Sequence, residues 1–249
     1  MAIVETESLV LKTYNLAEAD RIVVFLTQDH GVVRGVAKGA KRLKSKFGSG
    51  LEPFSIVQTT YLQKEVVELV SLRKIEIVRS NFAAASNPEF LQKFSYLADL
   101  MITLLPPHDP NETIYRMAKA CIETAASRPD LLAPVGVYFE LWILRLSGYL
   151  PDWSRCDQCR KAFDEEEGAS VQPNFHLVCM TCCKSSSRPI DAASRSLVPA
   201  AMRLSPSDFG QFADSNANGL KSLSITLRQL ISHSIGREIS GETSLTLSI

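Results

Sequence analysis

This chain contains no GxxxxGK followed by Ser or Thr, no GxGxxG after a strand, no GxSxG elbow and no HExxH. Those absences remove the common signatures of nucleotide hydrolysis, dinucleotide binding, acyl transfer and zinc-dependent hydrolysis. Histidine is scarce, and His30, His108, His176 and His233 show no spacing to a candidate nucleophile, so nothing reads as an active site. No uninterrupted apolar run approaches the roughly 20 residues of a membrane span. The opening MAIVETESLV has acids where a secretory leader has bases, with neither apolar core nor cleavage site after it, so a cytoplasmic protein is expected. Net charge is absent as well, because 27 Lys and Arg balance 27 Asp and Glu. Any polyanion footprint therefore has to be local.

One stretch supplies such a footprint. Residues 34–54, RGVAKGAKRLKSKFGSGLEPF, carry Arg34, Lys38, Lys41, Arg42, Lys44 and Lys46, and no acid lies between Asp29 and Glu52. Gly35, Gly39, Gly48 and Gly50 interrupt it, which argues for a mobile loop flanked by strands rather than a helix with one cationic face. A row of ammonium and guanidinium groups releases condensed counterions from a nucleic acid without reading its sequence. A merely solvated surface loop is the plain alternative.

The 249 residues are enough for two or three modules, and 45% hydrophobic with 22% charged residues is ordinary for a globular protein. Residues 3–12, 21–27, 32–37, 55–63 and 66–78 are rich in Val, Ile, Leu, Thr and Tyr and read as strands, with a hairpin signal at Asp29-His30-Gly31. Five short strands without a helical period suggest a small antiparallel barrel, most economically a five-stranded OB fold over residues 1–80. The basic loop then joins strands three and four. OB folds bind single strands through a charged groove and stacking aromatics. Phe47 and Tyr61 are the aromatics in and near the loop, read first as core or anchoring residues and only second as base platforms.

Helical periods follow. Asn87-Pro88-Glu89 is a start signal leading to Leu105, and Pro106-Pro107 a stop. A second helix is expected from Asp109-Pro110, and a third from about Asp130 to Gly148. The three are expected to pack as a bundle, residues 81–150 forming the first part of a helical domain. Cys121 falls on an apolar face and reads as a small buried hydrophobe. After the polar linker Ser185-Ser186-Ser187, residues 191–249 form the second part: a helical run from about Asp191, a break at Asn216 to Gly219, a last helix, and a frayed tail after Gly241.

Between these parts, residues 151–190 hold five of the six cysteines. Cys156-Asp-Gln-Cys159, nineteen residues, then Cys179-Met-Thr-Cys182 has zinc-ribbon spacing, because paired thiolates in two tight turns converge on one tetrahedral ion. Cys183 is an alternative to Cys182 as the fourth ligand, and His176 a weaker contender. Four thiolates fill the coordination sphere, so one structural zinc is expected, stapling a segment with little core of its own. The deaminase pattern of His or Cys, Glu and PCxxC is absent. The acidic run Asp164-Glu165-Glu166-Glu167 makes this segment a poor phosphate contact. The architecture is thus α+β multidomain: barrel, helical bundle and four-cysteine insertion.

These residues carry a resemblance. Leu9-Val10-Leu11, Glu18-Ala19-Asp20-Arg21, Leu26-Thr27, His30-Gly31, Ala37-Lys38-Gly39-Ala40-Lys41-Arg42, Ser45 and Leu51-Glu52-Pro53-Phe54 are similar to the N-terminal part of the bacterial RecO recombination-mediator family. Phe139-Glu140-Leu141 and Gly148-Tyr149-Leu150-Pro151-Asp152, leading into the cysteines, resemble it too, as does Gly236-Arg237-Glu238-Ile239-Ser240. The resemblance implies an OB-fold domain, a helical domain and a zinc-binding insertion. It further implies binding to single- and double-stranded DNA, strand annealing, and work with RecR to load the recombinase onto DNA covered by single-strand-binding protein, in the nucleoid. Lys stands at loop positions where the family often has Arg, which keeps the charge but not the bidentate geometry. No membrane and no small-molecule substrate are expected. A DNA-independent interaction scaffold and a metal-dependent nucleic-acid enzyme are the rivals, the filled thiolate site arguing against the second.

Overall fold

Stretches rich in Val, Ile, Leu, Thr and Tyr between residues 2 and 79 become five strands in the computed structural model: β1 (Ala2–Leu16), β2 (Asp20–Thr27), β3 (Gly31–Ala37), β4 (Ile56–Gln63) and β5 (Leu69–Arg79). The structure describes residues 2–63, 69–183 and 188–236. The expected start of the fifth strand at 66–68, the 185–187 linker and everything beyond Gly236 lie outside the described residues.

The strands close into a barrel in the order β1-β2-β3-β5-β4. All pairings are antiparallel except β3 with β5. Inward positions such as Val10, Val23, Phe25, Val33, Val57, Val70 and Leu72 fill its core. The predicted hairpin at Asp29-His30-Gly31 joins β2 to β3. Gly31 there has φ +65, and a Cβ on it would stand 2.2 Å from the Asp109 carbonyl oxygen, so only glycine fits.

The chain divides into two compact units at Pro129/Asp130. In the first, after a short helix α1 (Phe82–Ala85), α2 (Pro88–Leu104) and α3 (Glu112–Ser127) accompany the barrel. The Asn87 side chain accepts from the Glu89 and Phe90 amides, as the start signal predicts. The second helix begins later than expected because Asn111, not Asp109, supplies the cap, accepting from the Ile114 amide at 3.0 Å. Phe54 of the barrel packs on Phe90 and Phe94 of α2, with ring centroids 6.1 and 5.9 Å away. Polar ties reinforce the packing. Lys12 meets Asp99 at 2.5 Å, and Glu7 accepts from Tyr115 Oη at 2.8 Å and Lys119 Nζ at 2.6 Å.

In the second unit α4 (Leu132–Leu146) packs with α5 (Ala192–Arg203), α6 (Pro206–Asp214) and α7 (Ala217–Ile235). The three helices expected as a bundle divide between the units, α2 and α3 in the first and α4 in the second. Because α4 buries nearly every position from Val135 to Leu144 it needs neighbours on several sides, and the later helices, the last among them, provide them. Trp142 Nε1 donates to the Ala201 carbonyl at 2.9 Å, and Tyr138 stacks 5.5 Å from Phe209. The helical run after Asp191 is two helices where one was expected. Ser205 caps the second, its Oγ accepting from the Asp208 amide at 3.2 Å, and Pro206 occupies the first helical position. The cysteine-rich segment lies between α4 and α5 with a three-stranded sheet of β6 (Ala169–Val171), β7 (Leu177–Val178) and β8 (Arg188–Ile190). Among the described residues no helix is long and apolar enough to cross a membrane.

Candidate nucleic-acid interface and metal centre

The basic stretch connects β3 to β4 as a series of hydrogen-bonded turns. Its first half is pinned to the β1–β2 turn, where the Gly39 amide donates to Asp20 Oδ1 at 2.7 Å and the Lys41 amide to the Ala19 carbonyl at 2.9 Å. Gly39, at φ +71, takes the left-handed conformation that this turn requires. The second half is pinned by apolar anchors. Phe47 and Leu51 are buried in the barrel core, and a short 3-10 turn over Gly48–Leu51 closes against Ile75. The expected mobile loop is thus held at both ends.

Between the anchors the cations face water. Lys38, Lys41, Arg42, Lys44 and Lys46 are exposed, as is Arg34 on β3. Lys46 lies 5.0 Å over the Phe47 ring, so the anchor also positions a cation. No acidic residue interrupts the row, although Glu18 and Asp20 border it, Asp20 being engaged by Gly39.

Phe47 and Tyr61 are 3% and 0% exposed, which gives both to the core and neither to a ligand surface. Sequence reasoning passed over Arg73, an exposed cation on β5. The β3–β5 register sets Arg34 beside Leu69 and Val36 beside Ser71, and so runs on toward Lys38 and Arg73. The signal that would have found it is a parallel pairing, which lone strand patterns do not reveal.

The four predicted cysteines come together. One sulfur from each of Cys156, Cys159, Cys179 and Cys182 lies within 4.8 Å of the others, and Cys159 and Cys179 Sγ are 3.8 Å apart. Four thiolates on one ion at ~2.3 Å would stand about 3.8 Å apart, so the donor set fits a tetrahedral, thiophilic dication. Two knuckles build the set. In the first, the Arg160 amide returns to the Cys156 carbonyl at 2.9 Å, with Arg160 itself at φ +63. In the second, the Cys182 amide returns to Cys179 at 3.0 Å, following directly on β7.

Electrostatics mark the cluster as well. Burial raises the Cys156 thiol, but amides of Cys159, Cys179 and Gln158 aimed at the sulfur outweigh it and bring the thiol to about 6. Hydrogen bonding to Cys179, then desolvation, pushes Cys182 up to about 12. Cys183 stands apart, donating to Ser170 Oγ at 3.2 Å, and His176 Nδ1 lies 3.2 Å from Asp157. Cys121 is fully buried on α3, and burial holds its thiol far above the usual range.

Comparison with known proteins bears on both sites. The family model described as "Recombination protein O N terminal" matches residues 1–81, and "Recombination protein O C terminal" matches residues 93–241. This chain belongs to the RecO family. The RecO matches take in the barrel with its basic loop and the segment with the four cysteines. Among relatives, the DNA repair protein RecO of Koribacter versatilis is 31% identical over 194 residues, covering 78% of each chain. The DNA repair protein RecO of Bifidobacterium animalis subsp. lactis is 32% identical over 183 residues, covering 71% of this chain and 75% of its own. That of Thermodesulfovibrio yellowstonii is 30% identical over 187 residues, with 72% and 70% covered.

Proposed function

We propose that this RecO-family protein is a non-enzymatic mediator of DNA repair and homologous recombination. Its barrel is an OB fold that binds single- and double-stranded DNA through Arg34, Lys38, Lys41, Arg42, Lys44 and Lys46. It anneals complementary strands and, with RecR, loads the recombinase onto DNA coated with single-strand-binding protein, acting in the cytoplasm at the nucleoid. Cys156, Cys159, Cys179 and Cys182 hold one zinc ion, whose role is to staple the segment between α4 and α5.

The observation that carries this reading is the loop itself: six cations exposed at and beside one barrel end, on a backbone fixed at both ends. Such an array neutralises phosphates without base readout, which suits a protein that handles strands of any sequence. Annealing needs the same property, since screening two polyanions lets them approach.

The test is annealing of complementary oligonucleotides, bare and coated with single-strand-binding protein, with and without RecR. The full chain is expected to accelerate annealing, and a variant with the five loop cations changed to Ala to lose that acceleration while keeping its fold. Capture of RecR without any DNA affinity would favour a protein scaffold instead.

A further inference from the structure

With Phe47 and Tyr61 in the core, the barrel still has an exposed aromatic. Tyr14 on β1 is 47% exposed, and the ladder shows why. Val10 pairs with Phe25, both inward, but Lys12 pairs with Val24, so a β-bulge at Leu11 shifts the register by one. Thr13 then takes the inward place opposite Val23, and its Oγ1 donates to the Leu51 carbonyl at 3.0 Å. Tyr14 is turned to the outer face.

Its neighbours follow from the pairing. Tyr14 is opposite Ile22, and Ile22 is opposite Val36, so the three form one row across the outside of β1, β2 and β3. Ile22 and Val36 are half-buried, giving a shallow apolar floor beside the ring. The next row toward α2 is Lys12, Val24 and Arg34; Lys12 is tied to Asp99 of α2, whereas Arg34 is free to solvent. Two residue pairs the other way, roughly 7 Å along the strand, is Leu16–Asp20, where Asp20 holds the foot of the basic loop. An aromatic with an apolar floor thus lies between Arg34 and the loop cations.

We propose that Tyr14 is a base-stacking platform for single-stranded nucleic acid, with Arg34 and the basic loop holding the phosphates on either side. The inference rests on the DNA-binding reading above and adds the residue that the bases touch. The positive surroundings select a polyanion, and a single strand is the polyanion whose flat apolar groups are open to a tyrosine face.

The experiment measures binding of a fluorescent oligo-dT to the full-length protein over a range of salt, for wild type, Tyr14→Ala and Tyr14→Phe, each checked for intact fold by circular dichroism. An abasic oligomer of equal length is the control. Tyr14→Ala is expected to weaken oligo-dT binding roughly 5- to 150-fold, the size of one base–aromatic stack, without changing the salt slope. Tyr14→Phe should bind like wild type, and all three proteins should bind the abasic strand equally. Unchanged oligo-dT affinity in Tyr14→Ala, or an equal loss on the abasic strand, overturns the platform while leaving the cationic interface standing. Wild-type protein with no salt-dependent affinity for either strand overturns both.

Discussion

Two irregular segments serve this molecule in opposite ways. The basic loop of the barrel and the cysteine-rich stretch between α4 and α5 both have little regular structure. The loop borrows stability from its host: Phe47 and Leu51 plug the barrel core, and Gly39 and Lys41 hydrogen-bond the β1–β2 turn. Its charged side chains, Lys38, Lys41, Arg42, Lys44 and Lys46, are exposed. In the cysteine segment the reactive side chains gather on one another instead, four sulfurs within 4.8 Å of each other. In the proposed reading, a fold that supplies anchors leaves its polar groups for binding, and one that does not turns its polar groups, with an ion, into the anchors.

Breaking the sulfur cluster should give the largest effect. Zinc binding contributes ~10–16 kcal/mol in small zinc domains, so Cys156→Ser or strong chelation is expected to unfold the segment. Elemental analysis should find one zinc per chain in the wild type and none in the variant; no zinc in the wild type would remove the ion from the account. Trp153 fluorescence reads the unfolding, because its indole is buried and donates to the Phe175 carbonyl at 2.9 Å. DNA affinity of the basic loop should persist; if it falls together with the metal, the contrast between the two segments fails.

Removing the loop's apolar anchor should come next. Phe47→Ala is expected to destabilise the barrel by about 3–5 kcal/mol, the usual cost of deleting a buried phenyl ring. Denaturant unfolding measures it. A change below 1 kcal/mol would mean that the loop is held without its plug.

A smaller effect belongs to Glu7. Burial raises its carboxyl, but the hydrogen bonds and charge of Lys119 and Tyr115 prevail and hold it below the ordinary 4.5. A carboxyl lowered by folding contributes stability above the unfolded value, lost as pH falls through the folded one. Glu7→Gln should therefore cost about 1 kcal/mol at neutral pH and progressively less below about 4.5. A cost that is the same at neutral and acid pH would remove the ion pair from the account.

What the sequence made legible follows the same contrast. Strands, hairpin and cysteine spacing were readable because each rests on local chemistry: period-two burial, a glycine forced to positive φ at Gly31, paired knuckles. The Ser205-Pro206 helix start was equally local, a Ser cap followed by Pro at the first helical position, yet the run from Asp191 was read straight through it. Tyr14 was not readable. Plain alternation from Val10 sends Lys12 and Tyr14 inward, and one extra residue at Leu11 reverses both. The partners of α4 were hidden for a different reason, since burial around a whole helix shows that neighbours exist without saying which.

The salt dependence of single-stranded DNA binding tests the central claim most directly. Six phosphate contacts predict that log affinity falls with log salt at a slope of about −4, and about −0.7 when Lys38, Lys41, Arg42, Lys44 and Lys46 are changed to Ala and Arg34 alone remains. The substitutions lie on an exposed surface, and each should move stability by no more than about 0.5 kcal/mol. Equal slopes in the two folded proteins would contradict the account and place the DNA site elsewhere.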